Sequence, residues 1–204
     1  QEITGPEKDT LPEINVSGKE PRTVMKLKYV PVTSLGSEYH PARDVSEVSE
    51  YLTGVDIRQR GINGVQGDIS FRGSSPEQVK IMLNGIPLND PQTGHHNLNL
   101  PIPEISLSEI QRYTPATAHQ CGVNAWSGAV NYVHRFPEKN TFKANIHGGS
   151  YKYLNISGSA DIIGENVMTH AGISRKSSEG YNENTDFVTM EAYLKSKLKF
   201  YDKY

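Results

Sequence analysis

Disulfide bonds and membrane-spanning helices are the first features that this sequence excludes. The 204 residues include a single cysteine, Cys121, so no intrachain disulfide can form. No apolar run approaches the roughly 18 residues that a transmembrane helix needs. The net charge is only −2, which implies neither a nucleic acid nor an anionic membrane surface as a partner. No secretory signal is visible after Gln1, which is compatible with a leader peptide that has been removed.

Residues arranged for catalysis, phosphate binding or metal binding are equally scarce. The glycine-rich segment 61–67 lacks the Lys-Ser/Thr pair of a phosphate-binding loop and the strand–loop–helix context of a dinucleotide site. No Ser/His/Asp, Cys/His or paired-carboxylate arrangement has supporting context. His119 and Cys121 supply only two ligands, which do not make a metal site. We therefore expect no enzyme activity, no metal site and no cofactor.

Turn-forming and aromatic residues are abundant instead. The chain has 18 glycines, 12 prolines and 11 tyrosines, which favours a turn-rich protein with much β structure. Residues 1–22 are polar and rich in proline, so this stretch predicts a flexible lead segment. Further along, residues 79–83 predict an apolar strand that ends at Asn84 and Gly85, a dipeptide typical of hairpin turns.

One amphipathic helix is predicted shortly after the lead segment. Val45, Val48 and Leu52 are spaced to share one side of a helix. Asp44 can cap the first turn, and Glu47 follows it at the spacing of a capping box.

After Pro137 the pattern changes to longer segments in which apolar and polar residues alternate. The alternating segments are residues 142–147, 151–163, 167–175 and 189–200. In the last segment, four apolar residues fall on one side: Met190, Ala192, Leu194 and Leu198. The polar stretches that separate these segments are short after the first and second segments and long after the third. Segments of ~10 residues with period two and uneven turns are typical of a transmembrane β-barrel.

Three motifs in the middle of the chain resemble those of one protein family. Residues 68–73 read Asp-Ile-Ser-Phe-Arg-Gly, and residues 79–88 follow with Asn-Gly-Ile-Pro-Leu at their end. Residues 122–133 contain Asn-Ala and Gly-Ala-Val-Asn, and residues 48–57 contain Leu-Thr-Gly-Val. In this order and spacing they resemble the plug domain of TonB-dependent outer-membrane receptors. The resemblance implies an α+β plug, with a small mixed β-sheet and short helices, followed by the first antiparallel strands of a transmembrane β-barrel.

On this resemblance we expect three parts. These are a flexible N-terminal segment over residues 1–22, a plug domain over residues 23–137, and about four barrel strands over residues 138–204. A plugged barrel of this kind has about 22 strands. It must close, because an open edge would leave unpaired backbone groups in hydrocarbon. We therefore expect the chain to be part of a longer polypeptide.

The lead segment contains a stretch that resembles a TonB box. Residues 11–18 read Leu-Pro-Glu-Ile-Asn-Val-Ser-Gly. Such a peptide adds as a strand to a sheet edge of the periplasmic protein TonB, where main-chain hydrogen bonds hold it. The residues expected in this contact are Leu11, Pro12, Glu13, Ile14, Asn15 and Val16. The alternative is an ordinary disordered terminus that contains Ile and Val.

Two arginines and one loop complete the expected sites. The resemblance implies that Arg72 and Arg112 pair with acidic residues of the barrel. It also implies that the loop after residue 88 reaches the outward end of the plug and contacts the ligand. The expected contact residues are Gln92, Thr93, His95, His96 and Asn97. Imidazoles and amides supply donors and acceptors for a ligand, and the alternative is a simply solvated loop.

Residues 109–122 fit the family pattern poorly. An alignment anchored on Gln111 and Arg112 implies a small deletion. An alignment anchored on Gly122 implies many replacements instead. Both alignments stay open, as does an error in this stretch of sequence.

The resemblance implies TonB-dependent import of a scarce ligand across the outer membrane of a Gram-negative bacterium, with the N-terminus in the periplasm and the plug gating the pore. A metal chelate such as a ferric siderophore, haem or cobalamin is the expected ligand. Expected partners are TonB, the ligand, the chain's own barrel and outer-membrane lipid, with a surface lipoprotein as a further option. Two other functions stay open: a plug subunit that seals a larger outer-membrane complex, and a soluble binding module with the plug fold.

Overall fold

The computed structural model describes residues 33–36, 44–61 and 65–199. Within these ranges the chain forms a five-stranded sheet, a four-stranded sheet and a two-stranded hairpin. The predicted TonB box, residues 11–16, lies outside the described residues. In the part of the chain that is described, no helix combines the length and the apolar character needed to cross a membrane.

The elements follow one another in a simple order. In that order they are β1 (Thr33–Gly36), α1 (Val45–Glu50), β2 (Val55–Gln59), β3 (Gly67–Phe71), β4 (Val79–Leu83), β5 (Ile86–Pro87), β6 (Glu109–Tyr113), α2 (Pro115–Ala118), β7 (Gly128–Val133), β8 (Thr141–Gly149), β9 (Tyr153–Ile163), β10 (Val167–Ser178) and β11 (Phe187–Leu198). Short 3-10 turns occupy Pro76–Gln78, Gly94–His96, Glu104–Ser106 and His119–Cys121.

The five-stranded sheet has the strand order β1-β6-β7-β4-β5 and is named the plug sheet. β4 and β7 pair in parallel, with Val79 opposite Gly128, and the other neighbours are antiparallel. β4 is buried along its whole length, as expected for a strand covered on both faces. Its Lys80 is accommodated because the ammonium group donates a 2.9 Å hydrogen bond to the Val123 carbonyl.

The hairpin between β4 and β5 confirms the turn predicted from sequence. Asn84 and Gly85 have φ angles of 51° and 82°, the left-handed backbone that a type I′ turn requires at both central positions. The turn is also tied to β7, because Asn131 Oδ1 accepts from the Gly85 N–H at 2.8 Å.

Helix α1 forms as its sequence pattern predicts. The Asp44 side chain accepts a 3.0 Å hydrogen bond from the Glu47 N–H, which satisfies a first-turn donor. Val48 and Leu52 are buried in the main core, which also includes the apolar side chains of β3, β4 and β7. A 2.7 Å hydrogen bond between the Ser49 and Tyr132 hydroxyls joins the helix to β7 inside this core.

The four-stranded sheet is an antiparallel meander with the order β11-β10-β9-β8, and it is named the wall sheet. Its strands confirm the alternating segments predicted after Pro137, with bounds shifted by a few residues at some ends. The connections are residues 150–152, 164–166 and 179–186. This register puts Asp161 of β9 directly opposite His170 of β10.

The wall sheet has a polar inner face and an apolar outer face, the reverse of a soluble sheet packed on a core. The buried polar residues of the wall are Asn155, Ser157, Ser159, Asp161, His170, Ser174, Lys176 and Ser178. The exposed apolar residues include Leu154, Ile156, Ile162, Ile173, Val188, Met190 and Leu194. The polar face covers the plug, and the apolar face is of the kind that outer-membrane strands present to lipid.

The plug approaches the wall closely at one glycine. A Cβ atom on Gly172 of β10 would lie 2.0 Å from the Ser106 hydroxyl, so no larger residue fits without a shift. The 3-10 turn Glu104–Ser106 therefore rests against the wall backbone. Glycine at this position is explained by the close approach of the Ser106 side chain to the β10 backbone rather than by an unusual φ angle.

Some elements were not foreseen. β1 pairs with β6 at the sheet edge, but no strand was predicted at residues 33–36. Residues 104–106 form a 3-10 turn, and β6 begins at Glu109. The part boundaries expected at residues 22 and 137 stay predictions.

Candidate functional site

One end of the plug sheet is formed by loops around the start of β4. Because β5 runs antiparallel to β4, the chain returns to the level of Val79 before it begins the predicted ligand-contact loop. Asn89 fixes this return: its side chain accepts from the Ile81 N–H at 2.9 Å and donates to the Val79 carbonyl at 2.8 Å. We name this region, residues 60–61, 65–66, 75–78 and 89–99, the loop end of the plug.

Two of the predicted contact residues hold the loop together. Asn97 is only 2% exposed; its Oδ1 accepts from the Asp90 N–H at 3.0 Å and its amide donates to the Pro76 carbonyl at 3.3 Å. Thr93 caps the following 3-10 turn, since its hydroxyl accepts from the His95 N–H at 3.3 Å. These contacts give Asn97 and Thr93 roles in the framework of the loop.

His95 is the third predicted contact residue, and it belongs to a small ionic cluster. Its Nδ1 lies 3.0 Å from Asp68 Oδ1, and Arg60 Nε lies 2.5 Å from Asp68 Oδ2. Burial raises the pKa of the Asp68 carboxyl, but the hydrogen bonds from Arg60 and His95 outweigh it and hold that pKa below its ordinary value. The cluster fixes the loop end to β3, and the His95 side chain remains 42% exposed.

Gln92 and His96 are the predicted contact residues that face solvent. Both are exposed, and the His96 ring lies 3.2 Å from the Asn99 amide. A neighbouring loop joins this surface, because the Gln66 amide donates to the His95 carbonyl at 3.3 Å. The structure therefore brings together a polar surface made of Gln92, His95 and His96.

The two predicted plug arginines lie on the side of the plug around Phe71. The Arg72 guanidinium is exposed and lies 5.7 Å from the Phe71 ring centroid, and its backbone has a φ of 53°. Arg112 lies 5.8 Å from the same ring and donates to the Thr53 carbonyl. Among the described residues Arg72 forms no salt bridge with the wall sheet, so its pairing with barrel acids stays a prediction.

A buried carboxylate joins the plug to the wall at Glu104. Its Oε1 accepts 3.2 Å hydrogen bonds from Asn155 and from Ser157 of β9. Lys176 of β10 lies 3.6 Å from Glu104 Oε2 and 3.3 Å from Glu191 Oε1 of β11. Sequence analysis missed this contact, because nothing in a short 3-10 turn indicates which lumen-facing side chains it will meet.

A second contact between plug and wall surrounds the β4–β5 turn. The Lys195 ammonium of β11 donates to Asn84 Oδ1 at 3.0 Å and to the His134 carbonyl at 2.7 Å. The Asn84 amide in turn donates to the Tyr193 hydroxyl at 2.8 Å. The turn residue that the sequence marks for its backbone thus also binds the wall through its side chain.

A third contact is a buried group of two histidines and one aspartate. His134 follows the plug strand β7, and its Nε2 lies 3.3 Å from Asp161 Oδ1 of the wall. His170 Nδ1 lies 2.9 Å from the same oxygen. Burial, reinforced by the nearby His170, lowers the pKa of His134 from 6.5 to about 4. The only sequence signal for this group was the placement of Asp161 and His170 on the polar side of adjacent alternating segments.

His119 and Cys121 do not join any metal-binding group within the described ranges. They occupy one 3-10 turn, and burial raises the pKa of the Cys121 thiol. A thiol that stays protonated is a poor metal ligand.

Comparison with known sequences agrees with this architecture. The family model for the TonB-dependent Receptor Plug Domain matches residues 30–129. The Vitamin B12 transporter BtuB of Vibrio cholerae serotype O1 is 28% identical over 154 residues, 74% of this chain and 25% of that protein. The protein of the same name from Vibrio vulnificus is 23% identical over 141 residues, 68% of this chain and 23% of its own length. The chain thus spans about a quarter of the length of the curated relatives it matches.

Solved structures show the same fold at lower identity. FpvA of P. aeruginosa, bound to heterologous pyoverdines, gives a TM-score of 0.68 at 12% identity over 84% of this chain and 23% of that one. The copper transporter OprC gives 0.62 at 16% identity over 81% of this chain and 26% of that one. The siderophore receptor PirA from Pseudomonas aeruginosa gives 0.57 at 19% identity over 84% of this chain and 31% of that one. The chain belongs to the TonB-dependent receptor family and carries its plug domain.

Proposed function

We propose that this chain supplies the plug and the first wall strands of an outer-membrane receptor that imports a scarce ligand with energy from TonB. The observation that carries the proposal is the reversed polarity of the wall sheet, whose polar face covers a plug and whose apolar face is exposed. A soluble binding module would have no reason to expose that apolar face to water.

The wall sheet fits as one part of a larger closed barrel. β8 and β11 form its two edges. In a membrane each edge needs a partner strand, because unpaired N–H and C=O groups in hydrocarbon cost several kcal/mol each. A plugged transporter barrel has about 22 strands, so further strands of the same polypeptide would complete it.

The lengths of the wall connections suggest an orientation. Outer-membrane barrels have short periplasmic turns and longer extracellular loops. Residues 179–186 form the longest connection, and residues 164–166 lie at the opposite end of the sheet. We therefore infer that the end with residues 179–186 faces out of the cell.

The same orientation would turn the loop end of the plug outward. Lys195 lies opposite His170, near the end of the wall that carries the connection 164–166. It binds Asn84, which directly follows the C-terminal end of β4. The start of β4, and with it the loop end, then faces the extracellular side. This supports Gln92, His95 and His96 as part of the ligand-contact surface.

A metal chelate is the ligand class we propose. The relatives at 28% and 23% identity are named as vitamin B12 transporters, and the structural neighbours include siderophore receptors. Imidazole and amide side chains at the loop end offer donors and acceptors to the polar periphery of such a chelate. Ligand binding there would make the lead segment available to TonB, whose pull would move part of the plug.

Deleting residues 9–18 from the full-length receptor tests the TonB step. Uptake and cell-surface binding are measured with labelled cyanocobalamin, haem and ferric enterobactin as probes. We expect the deletion to abolish uptake of the transported probe while its binding is unchanged, because only the energy link is lost. A matched control replaces residues 9–18 with a Gly/Ser stretch of equal length and should behave like the deletion.

Unchanged uptake after the deletion would refute TonB coupling and favour a sealing subunit. Failure of the wild-type receptor to bind any of the three probes would refute the proposed ligand class. A double variant, His95→Ala with His96→Ala, tests the contact surface separately. Unchanged affinity for the transported probe would remove these histidines from it.

A further inference from the structure

Two imidazoles and one carboxylate meet in a buried position between the plug and the wall. His134, Asp161 and His170 are 4%, 5% and 1% exposed. Their possible ligand atoms all lie within 4.8 Å of one another, and the two rings are 3.9 Å apart between centroids. Among the described residues, this is the one place where three side chains of these types converge in this way.

The separations suit a first-row transition metal. Zinc bonds to nitrogen and oxygen are about 2.0–2.2 Å long, so tetrahedral ligand atoms lie roughly 3.3 Å apart. Asp161 Oδ1 is 3.3 Å from His134 Nε2 and 2.9 Å from His170 Nδ1. Two of the three separations are therefore already close to the tetrahedral value, and the third, between the two imidazole nitrogens, is at most 4.8 Å.

Hydrogen bonding alone leaves this group incompletely satisfied. His134 Nδ1 and His170 Nε2 are buried without a hydrogen-bond partner in the part of the chain that is described. The Ser106 hydroxyl, which lines the same cavity, also has none. These two ring nitrogens are the ones that do not face Asp161, so an ion in front of Asp161 would not bind them; they would carry the ring protons while the other two nitrogens bind the cation.

There is also room for a cation and its remaining ligand. A cavity of about 230 Å³ is lined by His134, Asp161 and His170, together with Ser106 and Thr141. Two neutral imidazoles and one carboxylate form a donor set that zinc, copper and other borderline cations accept. Three protein ligands leave the fourth position open towards this cavity.

We propose that His134, Asp161 and His170 bind one divalent transition-metal ion, which links the end of the plug to the wall. His134 would bind through Nε2, His170 through Nδ1 and Asp161 through Oδ1. Because the plug supplies one ligand and the wall supplies two, the ion would act as a cross-link between them. The site lies apart from the loop end, so it is distinct from the surface proposed to contact imported ligand.

One neighbouring charge opposes the cation. The Lys195 ammonium hydrogen-bonds to the carbonyl of His134, and its positive charge acts on the His134 ring. The negative charge of Asp161 acts on the same ring in the opposite sense and more strongly. Lys195→Gln should therefore tighten metal binding, whereas a site held together only by hydrogen bonds would show no metal dependence at all.

The experiment uses the full-length receptor in detergent, purified without a histidine tag and stripped with a chelator. Zn²⁺ is titrated against it by calorimetry, and Co²⁺ absorption reports the coordination geometry. We expect one tight Zn²⁺ per chain, a gain in the thermal stability of the plug on binding, and at least about a tenfold loss of affinity in Asp161→Asn. His170→Ala should lose the site as well, and His119→Ala is the matched control at an exposed histidine.

Asp161→Asn is included because it keeps the size of the side chain and should still fold. Co²⁺ spectra of a four-coordinate nitrogen and oxygen site, lost in Asp161→Asn and kept in His119→Ala, would support the proposal. Equal Zn²⁺ affinity and stoichiometry in the wild type and in folded Asp161→Asn would overturn it. The absence of a tight Zn²⁺ in the wild type would overturn it too, without bearing on import.

Discussion

Replacing Lys176 with methionine should loosen the plug from the wall far more than replacing Glu104 with glutamine. The side chains of Lys176 and Glu104 are only 5% and 7% exposed, and that of Glu191 is 18% exposed. Lys176 is the cation between two carboxylates, at 3.6 Å from Glu104 and 3.3 Å from Glu191. The group has two negative charges and one positive charge, so the two substitutions are not equivalent.

The expected magnitudes follow from that charge count. Lys176→Met leaves the buried carboxylate of Glu104 and the partly buried carboxylate of Glu191 without their cation, and removing one partner of a buried ion pair typically costs about 3–5 kcal/mol. Glu104→Gln leaves Lys176 paired with Glu191 and keeps an acceptor for Asn155 and Ser157. Its cost should be about 1–2 kcal/mol, the difference between hydrogen bonds to a charged and to a neutral group.

Hydrogen exchange in the full-length receptor measures this difference. Amides of β7 and of the Glu104–Ser106 turn report opening of the plug, and amides of β9 and β10 report the integrity of the wall. Because every 1.4 kcal/mol is about tenfold, Lys176→Met should lower protection of the plug amides about a hundredfold or more. Glu104→Gln should lower it about tenfold, with the wall amides unchanged in both variants.

The double variant provides the decisive comparison. Glu104→Gln removes the carboxylate that Lys176→Met would leave without a partner, so the two effects should be less than additive. Additive losses, or a larger loss in Glu104→Gln than in Lys176→Met, would show that these side chains do not form one ionic group.

Three further predictions concern separate parts of the chain. Ile173→Lys places a charge on the exposed apolar face of β10 and should lower barrel stability by about 2–4 kcal/mol. Urea unfolding in lipid vesicles measures this loss, and a loss below about 0.5 kcal/mol would place this face away from lipid. Gly128→Ala should destabilise the plug by about 1–3 kcal/mol in the same assay, since its Cβ would lie 2.9 Å from the Tyr113 carbonyl and 3.2 Å from the Phe71 ring; equal stability would contradict that packing. The pKa of the Asp68 carboxyl is lowered in the fold, so its stabilising effect is present above pH about 4 and is lost as the pH falls through the folded-state pKa. Asp68→Asn should therefore reduce the loss of stability at acid pH. An unchanged dependence of stability on pH would refute the ionic cluster.

Local chemistry made several elements predictable from sequence. The Asp44 cap and the spacing of Val45, Val48 and Leu52 contain the information for α1, and the structure contains that helix. Asn84 and Gly85 specify their hairpin because few dipeptides adopt left-handed backbone at both positions. The wall strands were equally visible, since period-two alternation persists over each strand.

Contacts between distant segments were not predictable in the same way. β1 is an edge strand of four residues, too short to show any period. Glu104 meets Asn155 and Ser157 only because a 3-10 turn is pressed against the wall at Gly172. The approach of His134 to Asp161 likewise depends on how the plug is seated, which no local pattern contains.

The serine, asparagine and lysine side chains that line the inner face of the wall have a consequence for how the plug can be displaced. Along these four strands the plug is held to the wall by individual hydrogen bonds, such as those of Glu104 and Lys195. Water can replace such hydrogen bonds one at a time. Withdrawing the plug from these strands therefore exposes little apolar surface on the plug or on the wall. A steady force on the plug would then cross several small energy barriers in place of a single large one. The polar face of the wall sheet would be ready to bind the plug again once the force ends.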